Sequence, residues 1–325
     1  MTGLDLSTLN INIMKALAIL KYGGPEQLKV IETALPKPGR GEVLVRVHAA
    51  GVNPVDFKIR NGSIKWLTGS KFPKILGGDV AGVVEQADKN SVYKPGDKVF
   101  AMLNFRGGAY AEFVVVKEAW LCHIPEVISM EDAAATPLAA LTALQGLRKG
   151  GEIKPDDRVL INGASGGVGS YAVQIAKAMG AHVTGVCSTR NIEFAQELGA
   201  DEVIDYSTED FTKSDQKYHK VFDAVAKSAF GKCKKILENG GIYISTIPGA
   251  GILLQKSFNF LRKKNATAIM VNPSGTDLTL IADLMNKGLV RSYVEKTFSL
   301  QQGAEAHKMI ETERVRGKII LKVIP

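Results

Sequence analysis

Between Met14 and about Val116 apolar residues recur on alternate positions of short runs. Val43, Val45 and Val47 interleave with Glu42, Arg46 and His48, the period of a strand with one face in a core and one in water. The same reading gives strands over Ala16–Leu20, Leu28–Ile31, Glu42–Val47, Val80–Glu85, Lys98–Met102 and Tyr110–Val116. Turn residues separate them: Pro36-Lys37-Pro38-Gly39, Asn53-Pro54, Gly77-Gly78-Asp79, Lys94-Pro95-Gly96-Asp97 and Gly107-Gly108. A small β-barrel is the economical architecture for such a meander.

The period then changes. Met130–Leu147 is alanine-rich and helical except at Pro137, which places a domain boundary near Thr136. From Arg158 onward strand-like and helix-like runs alternate. Arg158–Ile161 is an apolar strand, Asn162–Gly169 a glycine-rich turn, Ser170–Met179 a helix stopped by Gly180, and His182–Cys187 a second strand. Further strands are expected at Glu202–Tyr206, Lys220–Val225, Gly241–Ile247 and Thr267–Val271, with helices at Asn191–Leu198, Phe230–Leu237 and Leu278–Lys287. Alternation of this kind specifies an α/β fold with a doubly wound parallel sheet. The tail, Gly317–Val323, is strand-like and could return to the barrel. Residues 136–273 are read as the α/β domain, 14–135 with 274–325 as the barrel domain, and 1–13 as a short appendage.

Composition narrows the class. At 325 residues, 45% hydrophobic and 23% charged, the chain has the balance of a globular protein with two cores. No run approaches the roughly 20 apolar residues of a membrane helix, so no membrane partner is expected. Met1–Asn12 lacks the basic start and long apolar run of a secretory signal. Cys122, Cys187 and Cys233 are dispersed and odd in number, which argues against a disulfide framework and for a reducing compartment, with cytoplasm as the default. The net charge of +8 favours anionic ligands, but no basic run with interleaved aromatics marks a specific nucleic-acid surface.

The glycine turn is the main candidate for chemistry. Laid on the G-x-G-x-x-G fingerprint its positions are Ala164, Gly166 and Gly169, so the first glycine is replaced. Glycines there allow close backbone approach to a pyrophosphate at the helix N-terminus. Gly163–Gly167 also spells G-x-S-x-G, which presents a nucleophilic serine in hydrolases, with His182, His219 and His307 as downstream bases. A purely structural turn is the third reading. A Walker-type loop is excluded because Ser170 and Tyr171, not Lys and Ser/Thr, follow Gly169. A short-chain dehydrogenase is excluded because no Tyr precedes a Lys by four residues. Where an NAD site carries a carboxylate about 20 residues past the glycines, this chain has Ser188-Thr189-Arg190. Two hydroxyls and a guanidinium suit the 2′-phosphate of NADPH, with a solvated helix-start arginine as the blander alternative.

Six segments in order resemble one family, the medium-chain dehydrogenases/reductases: Gly51–Asp56, Gly77–Val84, Pro95–Phe100, Gly108–Glu112, Gly166–Gly169 and Gly317–Ile319, with the alanine-rich helix entry between them. The resemblance covers about Met14 to Val323 and implies a GroES-like barrel, formed by both chain ends, around a Rossmann domain. Zinc-dependent members carry Cys where this chain has Asn53 and His where it has Gly78, and their structural-zinc lobe needs four clustered cysteines. The chain is therefore similar to the zinc-independent quinone oxidoreductase branch, near zeta-crystallin and the alkenal/one reductases, and no metal is expected.

By that resemblance Ser165, Gly166, Gly167 and Val168 would hold the pyrophosphate, Ser188 and Arg190 (with Thr189 beside them) the 2′-phosphate, and Tyr206 the adenosine region. Thr246 and Ile247 would lie along the nicotinamide half, with Asn53 and Thr136 as the active-site pair near its ring. The activity implied is hydride transfer from NADPH to a quinone or an α,β-unsaturated carbonyl, a small electrophilic acceptor, by a homodimer. Asp56 and Lys58 fit a proton relay or, more blandly, a surface ion pair. Arg60–Lys74 lacks the Tyr that some enone-reducing members use as acid. Lys65, Trp66, Asn104 and Phe105 suit a substrate mouth or plain surface loops. The alternative function is an NADPH-binding protein with a regulatory or structural role and incidental reductase activity.

Overall fold

A computed structural model describes residues 13–247 and 264–324, so the expected appendage lies outside the described residues apart from Ile13. The chain begins with the strands β1 (Ile13–Ile19), β2 (Leu28–Ala34) and β3 (Glu42–Val52). Two short helices, α1 (Pro54–Arg60) and α2 (Lys65–Thr68), precede β4 (Lys74–Ile75), β5 (Asp79–Gln86), β6 (Lys98–Met102), β7 (Phe113–Lys117) and β8 (Leu121–His123). Helices α3 (Met130–Ala135) and α4 (Pro137–Leu147) abut at Thr136, where the ring of Pro137 removes the amide needed to continue α3. Then follow β9 (Arg158–Asn162), α5 (Gly167–Ala178), β10 (His182–Cys187), α6 (Ile192–Glu197), β11 (Glu202–Asp205), β12 (Tyr218–Asp223), α7 (Phe230–Cys233), β13 (Leu237–Ser245) and β14 (Asn265–Ala268). The chain closes with α8 (Gly275–Asn286), β15 (Val294–Ser299), α9 (Gly303–Glu311) and β16 (Lys318–Lys322).

The central strands form a six-stranded sheet in the order β11-β10-β9-β12-β13-β14, every pairing parallel. Strand order reverses between β9 and β12, so the carboxyl ends of these two strands flank the crevice in which doubly wound sheets bind ligands. The barrel strands form a second sheet, β15-β16-β3-β5-β6-β8 with β7 on β3, and a three-stranded sheet β2-β1-β4. The tail returns to the barrel as the sequence implied: β16 pairs antiparallel with β3, Ile319 against Val52 and Leu321 against Ala50. A Rossmann sheet with a GroES-like barrel is thus the fold.

Several elements depart from the sequence pattern. The run Tyr110–Val116 becomes a strand only at Phe113, because Tyr110 turns into the core, donating its amide to Leu76 O (3.0 Å) and accepting from Leu17 N (2.7 Å). Asn53-Pro54, read as a turn, starts helix α1, with Pro54 at the first helical position. Strands β4 and β8, of two and three residues, are too short to show a period. One core cluster crosses both domains, joining Ala81, Phe100 and Met102 of the barrel to Leu141, Val159 and Tyr171. Barrel and sheet are packed as one body along this seam.

Candidate active site

The glycine turn leaves the end of β9 at the crevice. Gly163 takes φ +83°, and a Cβ on Gly169 would lie 2.0 Å from Gly163 O, so only glycine lets helix α5 close on the strand. A Cβ on Gly166 would meet nothing closer than 3.5 Å, leaving that face of the turn open to an approaching ligand. No side chain caps α5, so its first amides and dipole face the same opening. Ser165, Gly166, Gly167 and Val168, the residues expected to hold a pyrophosphate, lie together at this opening.

The hydrolase reading fails here. Ser165 Oγ accepts from Asn191 Nδ2 at 3.0 Å. Among the described residues no histidine bonds to it: His219 accepts from Arg158 N, and His307 is buried with both ring nitrogens unpartnered.

At the end of β10, Asn191 also donates to Ser188 Oγ (3.3 Å), tying the glycine turn to the segment expected to hold the 2′-phosphate. Ser188 is half-buried and Arg190 exposed. Arg190 Nη2 donates to Arg314 O at 2.8 Å, which brings the loop before β16, with the exposed Arg314 and Arg316, to the same rim. Thr189 is turned differently, since its hydroxyl donates to the Asp205 carboxylate at the end of β11. That bond, with the Ser207 amide, holds Asp205 below the usual carboxylate range. Tyr206 follows at once, its amide on Cys187 O and its ring 61% exposed, so it rims the crevice and does not pack at the strand end. Thr246 and Ile247 close the series after β13. Thr246 Oγ1 donates to Ala224 O (3.2 Å), and Ile247 is 47% exposed.

The barrel side presents a buried polar cluster. Asn53 caps α1 in a capping box with Asp56, whose carboxylate accepts from Asn53 N at 2.8 Å. Asn53 Nδ2 donates to Asp79 Oδ2 (2.8 Å), and Asn53 Oδ1 accepts from the Lys318 ammonium. Lys318 also pairs with Asp79 at 3.4 Å, both side chains being buried. Its stem lies against the turn, since a Cβ on Gly167 would sit 3.1 Å from Lys318 Cδ, and Gly317 N donates to Ser165 O (3.0 Å). Lys318 thus fills the seam between the nucleotide turn and the barrel. Asp79 Oδ1 in turn accepts from Leu138 N at the start of α4 (2.8 Å).

Burial drives the Asp79 carboxyl above its ordinary range, opposed mainly by Lys318. Burial also pushes Asp56 up to about 7, with Asp79 adding repulsion against the Asn53 and Tyr110 hydrogen bonds and the Lys318 charge. Asp56 forms no ion pair with Lys58. It is 1% exposed and hydrogen-bonded to the Tyr110 hydroxyl at 3.1 Å, which corrects the surface-ion-pair reading.

Thr136 sits in a separate network. Its hydroxyl donates to Asp132 O (2.7 Å) and lies 3.1 Å from both Tyr171 Oη and Ser292 Oγ. Among the described residues Asn53 and Thr136 share no hydrogen bond, and Asp79 links the Asn53 cluster to Leu138, two residues after Thr136. A small cavity beside Asn53 is lined by Val55, Asp56, Gly78, Leu103, Phe105 and Leu138. A larger groove of about 280 Å³, bordered by Tyr93, Cys122, His123, Thr279 and Asp283, touches neither the turn nor this cluster.

Asn191, Lys318, Asp79, Tyr110 and Arg314 were not singled out from the sequence. Lys318, Asp79 and Tyr110 had signal only as members of the resemblance segments Gly317–Ile319, Gly77–Val84 and Gly108–Glu112. Where zinc-dependent relatives place ligands, an amide committed to Lys318 and Asp79 and a bare glycine stand instead. Among the described residues no three His, Cys, Asp or Glu side chains gather as a metal site would need.

Comparison with known proteins agrees with this architecture. Residues 39–126 match the alcohol dehydrogenase GroES-like domain, and residues 198–321 match a domain described as zinc-binding dehydrogenase. The chain is 35% identical to the chloroplastic quinone-oxidoreductase QR1 of Triphysaria versicolor, over 95% of this chain and 98% of that protein. It is 33% identical to the human mitochondrial NAD(P)H oxidoreductase RTN4IP1, over 96% of this chain and 90% of that one. It is also 32% identical to the 2-methylene-furan-3-one reductase of Solanum lycopersicum, over 96% and 80%. The quinone oxidoreductase structure from Coxiella burnetii superposes with a TM-score of 0.88 at 32% identity, covering 96% of this chain and all of that one.

These relatives overturn the expected cytoplasmic location, since those just named from plants and human are, in two cases of three, described as chloroplastic or mitochondrial. Three free, buried cysteines indicate reducing conditions, which do not single out the cytoplasm. With fold and relatives in agreement, the chain is an oxidoreductase that uses a nicotinamide cofactor and belongs to the medium-chain dehydrogenase/reductase family, in its quinone oxidoreductase branch.

Proposed function

We propose that the protein is a zinc-independent, NADPH-dependent reductase of quinones or α,β-unsaturated carbonyls. The observation that carries this reading is the replacement of a metal site by the Asn53–Asp79–Lys318 cluster directly against the nucleotide turn. An alcohol oxidation would have to stabilise an alkoxide, which a Lewis acid normally does. An electrophilic quinone or enone needs chiefly that donor and acceptor be positioned. Bound NADPH supplies the hydride. The chain's own part is to hold the pyrophosphate on the amides of α5, to grip the 2′-phosphate with Ser188 and Arg190, and to exclude water with the packed seam. Arg314 and Arg316 add positive charge at the same rim.

The test is cofactor titration with acceptor screening. Arg190→Ala is expected to weaken NADPH binding by about 1.5 to 3 kcal/mol, the worth of a hydrogen bond to a charged group, and to leave NADH binding nearly unchanged. Unaltered NADPH affinity, or tighter NADH binding by the parent protein, would remove the assignment. Turnover is followed by nicotinamide absorbance over a panel of ortho- and para-quinones and alkenals. Tight NADPH binding with no turnover of any acceptor would favour a regulatory or structural role.

A further inference from the structure

We propose that Asp56 is the acid that protonates the reduced enone, with Tyr110 as the residue that sets when it holds its proton. The inference rests on the reductase reading above. Asp56 lines the cavity that also borders Gly78, the place where zinc-dependent relatives carry a metal ligand. Its Oδ2 accepts from Asn53 N and from the Tyr110 hydroxyl. Among the described residues only Oδ2 of Asp56 accepts a hydrogen bond, so Oδ1 is free to carry a proton.

The charged and titratable groups around Asp56 come from five elements. Asp79 on β5 repels its ionised form, and Lys318 on β16 is committed to Asp79 and Asn53 rather than to Asp56. Tyr110 faces it from the loop after β6. On its own helix Arg60 pairs with Glu311 of α9, next to His307, which stands edge-on to Tyr110. Of the two buried carboxyls, Asp79 has the Lys318 cation and the Asn53 and Leu138 donors beside it, whereas Asp56 has no cation and so has less to hold it ionised. Its acidity, shifted to about 7, suits an acid working near neutrality.

The step balances without another reactant. Bound at Ser165–Val168, NADPH would supply a hydride to the β-carbon of the enone, the two electrons that would leave it as an enolate. The Asp56 O–H bond breaks, its proton goes to the enolate α-carbon or oxygen, and the carboxylate regains a proton from water. A quinone reduced by hydride leaves a stabilised phenolate and does not need this proton, so the two acceptor classes should separate.

Asp56→Asn keeps an oxygen for the Asn53 amide and so preserves the α1 cap. With saturating NADPH its kcat for an alkenal should fall by about a hundredfold or more, the scale of general acid catalysis, and by a much larger factor than its kcat for an ortho-quinone. In the wild type, alkenal kcat should decline above about pH 7, and the variant should lack that decline. Tyr110→Phe removes a hydrogen bond to the ionised form and should move the decline to higher pH. A readout without cofactor is also available. Asp56 is held protonated in the fold, so wild-type stability falls as pH rises from about 4 to about 7, and melting temperatures of the Asn variant should gain on the wild type over that window.

A parallel loss with both acceptors, or an unchanged alkenal pH profile, would overturn the assignment and leave Asp56 a structural cap. Absence of turnover by the wild type with every acceptor would overturn the reductase reading and this role with it.

Discussion

At the scale of single residues, His307 makes the sharpest prediction. The ring is buried, edge-on to Tyr110 with centroids 5.9 Å apart, and neither nitrogen has a partner among the described residues. Burial, helped by the nearby Arg60 charge, pushes its pKa down to about 3. An imidazole kept neutral in the fold but protonated when unfolded contributes stability that is whole above about pH 6.5 and lost as pH falls toward 3, by up to about 1.4 kcal/mol per pH unit. His307→Leu should remove this acid sensitivity and leave stability at pH 7 equal or higher, because two unpaired buried nitrogens go with it. Urea unfolding at pH 7 and pH 5 checks this; equal pH slopes in the two proteins would refute it.

The same scale shows what the sequence could and could not disclose. Ser188 and Arg190 were legible because they stand a fixed count beyond the glycines, within one βαβ unit. Lys318 and Asn53, 265 residues apart, were legible only as separate motif fragments. No local pattern says that an ammonium from the last strand fills the place beside a helix cap near residue 53. Likewise Asp56 looked like a surface acid because α1 was read as a turn, and only the helix buries it.

At the scale of elements, the alternation of strand-like and helix-like runs located the six parallel strands and the returning tail, although β14 lies at Asn265–Ala268 and overlaps the expected Thr267–Val271 by only two residues. It missed β15, whose Val294-Glu295-Lys296-Thr297-Phe298-Ser299 buries little besides Phe298 at the edge of its sheet. The loop into β16 is the more consequential element. Gly317 has φ +71°, and a Cβ there would lie 2.2 Å from Tyr293 O. Gly317→Ala is expected to cost at least about 1 to 2 kcal/mol from the left-handed backbone alone. It should also weaken NADPH binding, because Gly317 N is the donor that seats this loop on Ser165. Thermal unfolding and cofactor titration of the variant report both effects, and NADPH affinity equal to the wild type would separate the loop from the nucleotide turn.

At the scale of the molecule, the shared core cluster and the Lys318 bridge mean that barrel and Rossmann sheet stabilise one another across the seam. Removal of residues 317–325 should therefore do more than trim a terminus. It would delete β16 from between β15 and β3, withdraw the cation from buried Asp79 and expose the unpaired edge of β3. The expected result is insoluble protein on expression, and a soluble truncated chain with native circular dichroism would count against this account.

The position of β16 also sets a timetable for biosynthesis. Strand β3, made early, finds one of its three partner strands only once Lys318–Lys322 has emerged from the ribosome, whereas the strands β9 to β14 can pair as soon as they emerge. The nascent barrel must wait with an open edge throughout translation of the Rossmann segment, a period in which such edges invite association with other chains. The enclosed active-site seam is consequently among the last features to form, and a newly made molecule gains its nucleotide turn before it gains the lysine that backs it.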